Sequence, residues 1–332
     1  MLDSKTILIT GGTGSFGQEM TRALLERYSP RKVIIYSRDE LKQFNMMQNF
    51  SNHENLRFFI GDVRDEIRLK RAMEGVDVVI HAAALKQVPA AEYNPFECIK
   101  TNVFGAQNIV DAALEQGVKK VLALSTDKAA APINLYGASK LCSDKLIIAS
   151  NNIKGARDYK ASVVRYGNVM GSRGSVIPFF MNRKDEDFFP ITDPEMTRFN
   201  ITLPQGVAFT LEMIEKMWGG EIFVPRIPSY NIMDIAKAID PKKEVKIVGI
   251  RPGEKLHEEM ITTTDSINTI ECDRYFVILP SVDMWNVDDY IAKFKSEGAK
   301  RCKSSFSYNS LNNSDFLSIE ALKDMIGDAT RH

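Results

Sequence analysis

Short runs of consecutive apolar residues alternate along the first half of the chain with longer stretches in which apolar positions recur every three or four residues. "KTILIT" (Lys5–Thr10) is followed by glycines and then by "QEMTRALLERY" (Gln18–Tyr28) at helical spacing. "KVIIYSR" (Lys32–Arg38), "LRFFIGD" (Leu56–Asp62), "VDVVIHAAA" (Val76–Ala84) and "KKVLALST" (Lys119–Thr126) repeat the apolar run, each separated by a helix-like segment. "ASVVRYGNVMG" (Ala161–Gly171) reads as a sixth strand. Strands that are apolar at nearly every position, rather than at every second one, are buried on both faces. Alternation with helices therefore predicts an α/β protein with a doubly wound parallel sheet and a ligand at the carboxyl ends of its strands.

After about Gly171 the pattern loosens. "SRGSVIPFF", "FFPITDPEMTRF" and "ITLPQGVAF" mix Gly and Pro with short helical runs, and "EIFVPRIPS" and "KEVKIVGIRPGEK" read as isolated strand-like pieces. These predict a smaller, irregular α/β lobe over the sheet. The expected division is a dinucleotide-binding part, 1–171, and a mainly substrate-binding part with a C-terminal extension, 172–332. Residues 304–315, rich in Ser and Asn, read as a loop. Ser318 is placed to cap a last helix, with Leu317 and Leu322 as its staple and Gly327 as its end.

Composition removes several classes of function. The chain has 332 residues, 44% of them hydrophobic, enough for a substantial core. Its 43 Lys and Arg balance 43 Asp and Glu, so it carries no electrostatic footprint for nucleic acid or an anionic membrane. An anionic small ligand must be held by a few placed cations. No basic leader precedes the first strand, and no apolar run approaches a membrane span. Cys98, Cys142, Cys272 and Cys302 are too scattered for a disulfide ladder or a CxxC metal pattern, and the chain has only four histidines. The expectation is a cytoplasmic protein with reduced cysteines and no protein-built metal site.

"TGGTGSFG" (Thr10–Gly17) sits between the first strand and the first helix. Gly11 can make the tight turn, Gly14 can let the backbone approach a pyrophosphate, and Gly17 can allow close packing. The helix start, through Thr13, Ser15 and Phe16, then offers free N–H groups to phosphates. Strand two ends in Ser37 and Arg38. An acidic residue here suits the 2′-hydroxyl of NAD, whereas Arg accommodates the 2′-phosphate of NADP, so Arg38 predicts NADP. The competing assignment gives the ribose to Asp39.

Tyr136 and Lys140 lie at i and i+4 in "NLYGASK" and share a helix face. A nearby ammonium favours a phenolate, which can remove an alcohol proton as hydride leaves the carbon. Thr126, Asp127 and Lys128 close the fifth strand and put a second acid/base pair within reach.

The GxxGxxG spacing, "GDV" (Gly61–Val63), "HAAA" (His81–Ala84) and the Thr126, Tyr136, Lys140 set resemble the extended branch of the short-chain dehydrogenase/reductase superfamily, whose fold is Rossmann-like. The resemblance implies that Asp62, with Val63, meets the adenine and that Ala82, Ala83 and Ala84 let the cofactor cross the sheet, while Lys140 holds the nicotinamide ribose. Thr-Asp-Lys at 126–128 is similar to the inverting UDP-N-acetylglucosamine 4,6-dehydratases of the pseudaminic acid type. That similarity implies hydride transfer from C4 to NADP, loss of water across C5–C6 and return of hydride to C6. Lys128 would be the base at C5 and Asp127 the acid at C6. A lysine can serve as base only if burial or nearby positive charge lowers its pKa.

The resemblance also implies a sugar-nucleotide site. Lys86 lies past the fourth strand in "LKQVP", where relatives carry His at the position of Gln87. Asn168 meets the UDP-sugar, with Arg173 near it. Arg251 and Glu254 in "IRPGEK" take the diphosphate and the uridine ribose, and Thr192 and Arg198 lie on the uridine side. His81 reads as structural. The competing functions are a UDP-hexose 4-epimerase of the same fold, against which Asp127 and Lys128 speak, and a silent NADP-binding sensor. Relatives commonly pair through helices beside the sheet, which implies a homo-oligomer.

Overall fold

The structure is a computed structural model and describes residues 2–170, 176–302 and 305–330. Six strands, β1 (Thr6–Thr10), β2 (Lys32–Ser37), β3 (Leu56–Ile60), β4 (Val78–His81), β5 (Lys120–Thr126) and β6 (Lys160–Tyr166), pair in parallel in the order β3-β2-β1-β4-β5-β6. All five residues of β1 and all four of β4 are buried, the outcome expected of strands covered on both faces. The order reverses between β1 and β4, so the crevice above their carboxyl ends is the topological switch point. Helix α1 (Ser15–Arg27) packs against the helix Leu203–Lys216. The helix Gly105–Glu115 packs against both Glu66–Ala72 and Leu135–Ala149.

The sheet does not stop at β6. Ile222–Pro225, expected to be an isolated piece, pairs in parallel with β6, and all four of its residues are buried. Tyr275–Ile278, Thr269–Glu271 and Lys300–Arg301 then continue it antiparallel to a total of ten strands. A β6 buried from Ala161 to Tyr166 needs a partner on its outer edge, and the later half of the chain supplies it.

A second core lies apart from the first, built from Phe180, Phe189, Ile191, Ile232, Ile235, Leu322 and neighbours. Around it, Asn168–Val169, Thr197–Ile201 and Ser229–Asn231 form a small sheet. Phe188–Ile191 pairs with Glu244–Ile247. Ser318 caps the last helix through its hydroxyl, which accepts the Ala321 N–H at 3.2 Å. Gly327 does not end that helix, which runs Ile319–Thr330. A Cβ there would meet nothing within 4 Å, so this glycine is carried in an open helical turn. Within the expected loop 304–315, Tyr308–Asn309 forms a short strand against Glu259–Ile261. Among the described residues no helix is long and apolar enough to cross a membrane.

Candidate active site

The turn after β1 is shaped to take a phosphate. Gly11 has φ +66°, and a Cβ on it would stand 3.0 Å from the Ala83 backbone, so only glycine lets this turn lie against the Ala82–Ala84 segment. Gly14 is the N-cap of α1 and offers no side-chain cap, which leaves the amides at the start of α1, over Ser15 and Phe16, for an outside acceptor. Thr13 is buried beneath, its carbonyl accepting from Gln18 Nε2 at 3.0 Å, and Gly17 lies against Gly12. Together these features fit a dinucleotide diphosphate.

The adenosine end is less open. Ser37 is buried and its Oγ accepts from Gln43 Nε2 at 3.0 Å. Arg38 is half-exposed, 3.8 Å from Asp62 Oδ2. Asp39 caps the helix Glu40–Asn49, taking the Lys42 N–H at 3.0 Å and the Lys42 ammonium at 2.9 Å. Asp62 is held by Arg64 at 2.7 and 2.9 Å. Burial works against its carboxylate, but Arg64 and Arg38 bring its pKa below the usual value. Val63 is buried, and its carbonyl accepts from Asn108 at 2.9 Å.

Beyond β4 the chain is pinned by a residue that sequence patterns did not single out. Asn102, buried in a π-helical turn (Lys100–Phe104), accepts the Leu85 N–H at 2.8 Å and donates to the Leu85 carbonyl and Ser139 Oγ, each at 2.9 Å. It ties the Ala82–Ala84 segment to the helix that carries Tyr136 and Lys140. Lys86 follows, exposed. His81 is buried with Nδ1 2.8 Å from Thr10 Oγ1, and burial drives its pKa down to about 3, so it is a neutral structural ring.

The carboxyl end of β5 gathers the acid/base groups. Thr126 caps a tight turn, Asp127–Ala129, and donates to Asp127 Oδ1 at 2.9 Å. The helix Leu135–Ala149 starts at its cap Asn134 and leans on this turn. A Cβ on Gly137 would sit 2.1 Å from the Lys128 carbonyl oxygen, so glycine alone permits the approach. That contact sets Tyr136 near enough to Thr126 for the Thr126 side chain to favour its phenolate. Burial pushes the Tyr136 phenol up to about 12, against the opposing pull of Lys128 and Thr126. The expectation that Lys140 lowers Tyr136 is corrected here: the ammonium acting on this phenol is Lys128. Lys140 is itself buried, and burial lowers its pKa while Asp144 partly restores it.

Lys128 departs further from expectation. Its Nζ lies 3.1 Å from Asp127 Oδ1, 3.2 Å from Glu258 Oε1 and 3.5 Å from Asn168 Oδ1. Burial and Arg198 pull its pKa down, but Asp127 and Glu258 outweigh them and the pKa ends above that of an ordinary lysine. The lowered pKa that a base requires is not found: the free site holds an ammonium. Asp127 is fully buried, and among the described residues its Oδ2 has no hydrogen-bond partner.

Of the expected sugar-nucleotide contacts, Asn168 sits directly at this cluster. Arg198 does too, buried between Glu258 (3.7 Å) and Glu254 (3.8 Å) and fixed by the carbonyls of Thr197, Lys255 and Leu256. Arg251 is exposed and makes a two-pronged pair with Glu254, 3.1 Å on each prong. The Arg-Pro-Gly-Glu turn is docked on the stretch between β5 and the helix Leu135–Ala149: Asn134 donates to the Gly253 carbonyl at 2.8 Å and Lys255 to the Ala130 carbonyl at 2.7 Å. Thr192 stands apart, its hydroxyl 3.7 Å from Met196 Sδ. Arg173 lies outside the described residues. Glu258 is the acidic member that sequence reading missed. It follows the Arg-Pro-Gly-Glu turn closely, and that proximity was the available signal.

A Rossmann-type sheet with a glycine turn after β1, Thr126 at the end of β5 and Tyr136 and Lys140 on the helix that follows defines an extended short-chain dehydrogenase/reductase. A family model described as "Polysaccharide biosynthesis protein" matches residues 7–280, and the chain belongs to that family, within its group of sugar-nucleotide 4,6-dehydratases. It is 55% identical over 329 residues to the UDP-N-acetylglucosamine 4,6-dehydratase (inverting) of Campylobacter jejuni subsp. jejuni serotype O:23/36 (strain 81-176), covering 98% of each chain. It is 41% identical to the UDP-glucose 4-epimerase of Rickettsia conorii (strain ATCC VR-613 / Malish 7), over 98% of this chain and 96% of that one. Among solved structures, that of Pen from Bacillus thuringiensis superposes with a TM-score of 0.89 at 37% identity, over 99% of both chains.

Proposed function

We propose that this chain removes water from UDP-N-acetylglucosamine across C5 and C6, with NADP as its cofactor, and inverts C5. The product would be a UDP-2-acetamido-2,6-dideoxy-4-keto-hexose for nonulosonic acid, such as pseudaminic acid, or a related surface sugar. The observation that carries this reading is the Asp127–Lys128 pair buried at the end of β5 against Tyr136. A simple epimerase has no use for that second pair. When bound, the dinucleotide would supply reversible hydride transfer, at C4 first and at C6 last. NADP is favoured because Asp39 is spent as a helix cap, which leaves Arg38 to meet a 2′-phosphate.

The residues divide the proton work. Tyr136 takes the C4 hydroxyl proton in its phenolate form, which Lys128 and Thr126 favour against burial, with Thr126 orienting that oxygen. Transfer of the Lys128 proton to Asp127 would leave a neutral amine and a carboxylic acid, and Asp127 would then give that proton to the departing C6 oxygen through Oδ2, which has no hydrogen-bond partner among the described residues. Lys128 takes the C5 proton once a sugar hydroxyl wedges between it and a carboxylate. That weakens the pairing and lets burial lower its pKa. Arg251 and Glu254 hold the diphosphate and ribose, with Lys86, Arg173, Thr192 and Arg198 completing the nucleotide side. A homo-oligomeric, cytoplasmic enzyme accompanies this reading.

The test is incubation with UDP-N-acetylglucosamine in deuterated water, followed by NMR of the product. A new C6 methyl with deuterium at C5 is the expected result. The relatives named UDP-glucose 4-epimerase favour a second reading. A C4 epimer with unlabelled C5 and an intact C6 hydroxyl would establish that reading and remove the first.

A further inference from the structure

Glu258 stands where no sequence motif placed a functional group, and its surroundings do not look like those of a scaffold residue. It is 2% exposed. Its backbone is braced on both sides by Ser310, whose Oγ accepts the Glu258 N–H at 2.9 Å and whose N–H donates to the Glu258 carbonyl at 2.8 Å. Ser310 is in turn held by Thr197 Oγ1 at 2.7 Å. The side chain so fixed turns Oε1 to Lys128 at 3.2 Å and leaves Oε2 buried with no hydrogen-bond partner among the described residues. A carboxylate kept for structure satisfies both oxygens when it is buried. Asp127, on the other flank of the ammonium, shows the same arrangement: Oδ1 on Lys128 and Oδ2 unpartnered.

We propose that Glu258 is a positioning residue for Lys128: with Asp127 it clamps the ammonium and sets the pH at which that nitrogen becomes available as a base. The inference rests on the elimination reading above. Two carboxylates near 3 Å from one ammonium each favour its charged form, so losing either should release the proton more readily. Among the described residues the other groups facing Lys128 are few. Arg198 opposes its charge from the strand Thr197–Ile201, and Asn168 is a neutral acceptor. The phenols of Tyr136 and Tyr230 complete the surroundings. Arg198 also lies 3.7 Å from Glu258 Oε1.

The experiment follows exchange of the C5 proton with deuterated water, by NMR on the 4-keto nucleotide sugar, as a function of pH. It compares wild type, Glu258→Gln and Glu258→Asp, all loaded with dinucleotide. In Glu258→Gln the rise of exchange with pH should move to lower pH by about one unit or more. In Glu258→Asp the charge is kept, so the rise should stay near its wild-type position with a smaller amplitude. A Glu258→Gln rise that coincides with wild type overturns the proposal. A Glu258→Asp rise displaced to lower pH by about one unit or more also overturns it, which keeps the test decisive should the amide variant fail to fold. A wild-type enzyme that exchanges no C5 proton overturns the elimination reading itself, a result distinct from either of these.

Discussion

Lys128 is asked to be a base, and its neighbours in the free site hold it as an ammonium. Burial alone would lower its pKa, and the two carboxylates more than reverse that. Lys128→Ala should therefore abolish C5 exchange and slow formation of the 6-deoxy product by roughly 10²–10⁴-fold, as loss of a general base does. Formation of that product at the wild-type rate would remove the assignment. Arg38→Asp should shift preference from NADP toward NAD, read as the ratio of the two dissociation constants; an unchanged ratio would reject Arg38 as the selector. His81 gives a prediction about stability. Its pKa is about 3 in the folded chain and near 6.5 when unfolded, so the unfolded state binds the proton first as pH falls. Stability is fully present above pH 6.5 and is lost as pH falls toward 3, with a slope of at most about 1.4 kcal/mol per pH unit from this group. Denaturant titrations of His81→Gln should show a shallower loss across that window.

At the scale of elements, the site depends on how closely the helix Leu135–Ala149 approaches the turn after β5. Gly137→Ala would drive a methyl into the Lys128 carbonyl oxygen, now 2.1 Å from where that carbon would stand. Overpacking of this kind costs about 1–3 kcal/mol. Melting curves should show that loss, and turnover should fall while dinucleotide binding through the distant β1 turn persists. The elements themselves were legible because six apolar runs each carry their own signal, and so does the glycine turn between β1 and α1. The strand Ile222–Pro225 was read as isolated because its role is set by the bare edge of β6, which no local pattern records. Glu258 was missed for the same reason: its partner is remote in sequence, and an acidic pair after a turn looks like surface. Tyr136, Lys140, Asp127 and Lys128 were readable as a set. The sign of their mutual electrostatics was not, since it depends on groups that only folding brings near.

For the whole molecule, we propose that the division near residue 171 is one of labour, with dinucleotide contacts before it and mainly substrate contacts after it. The main sheet crosses that boundary. A fragment of residues 1–171 would leave β6, buried along nearly its whole length, as a bare hydrophobic edge. Such edges recruit other chains, so the fragment should aggregate on size-exclusion chromatography where the full chain does not. A soluble, dinucleotide-binding fragment would show that the first six strands suffice. The bonds from Asn134 to Gly253 and from Lys255 to Ala130 fasten the Arg251–Glu254 turn to the same stretch of chain that presents Tyr136 and Lys128. A nucleotide gripped at that turn is thereby measured against a fixed ruler. On the proposed function its sugar would arrive over the reactive groups only if the linkage between them has the right span, so discrimination by length would be built in before any contact with the ring is made.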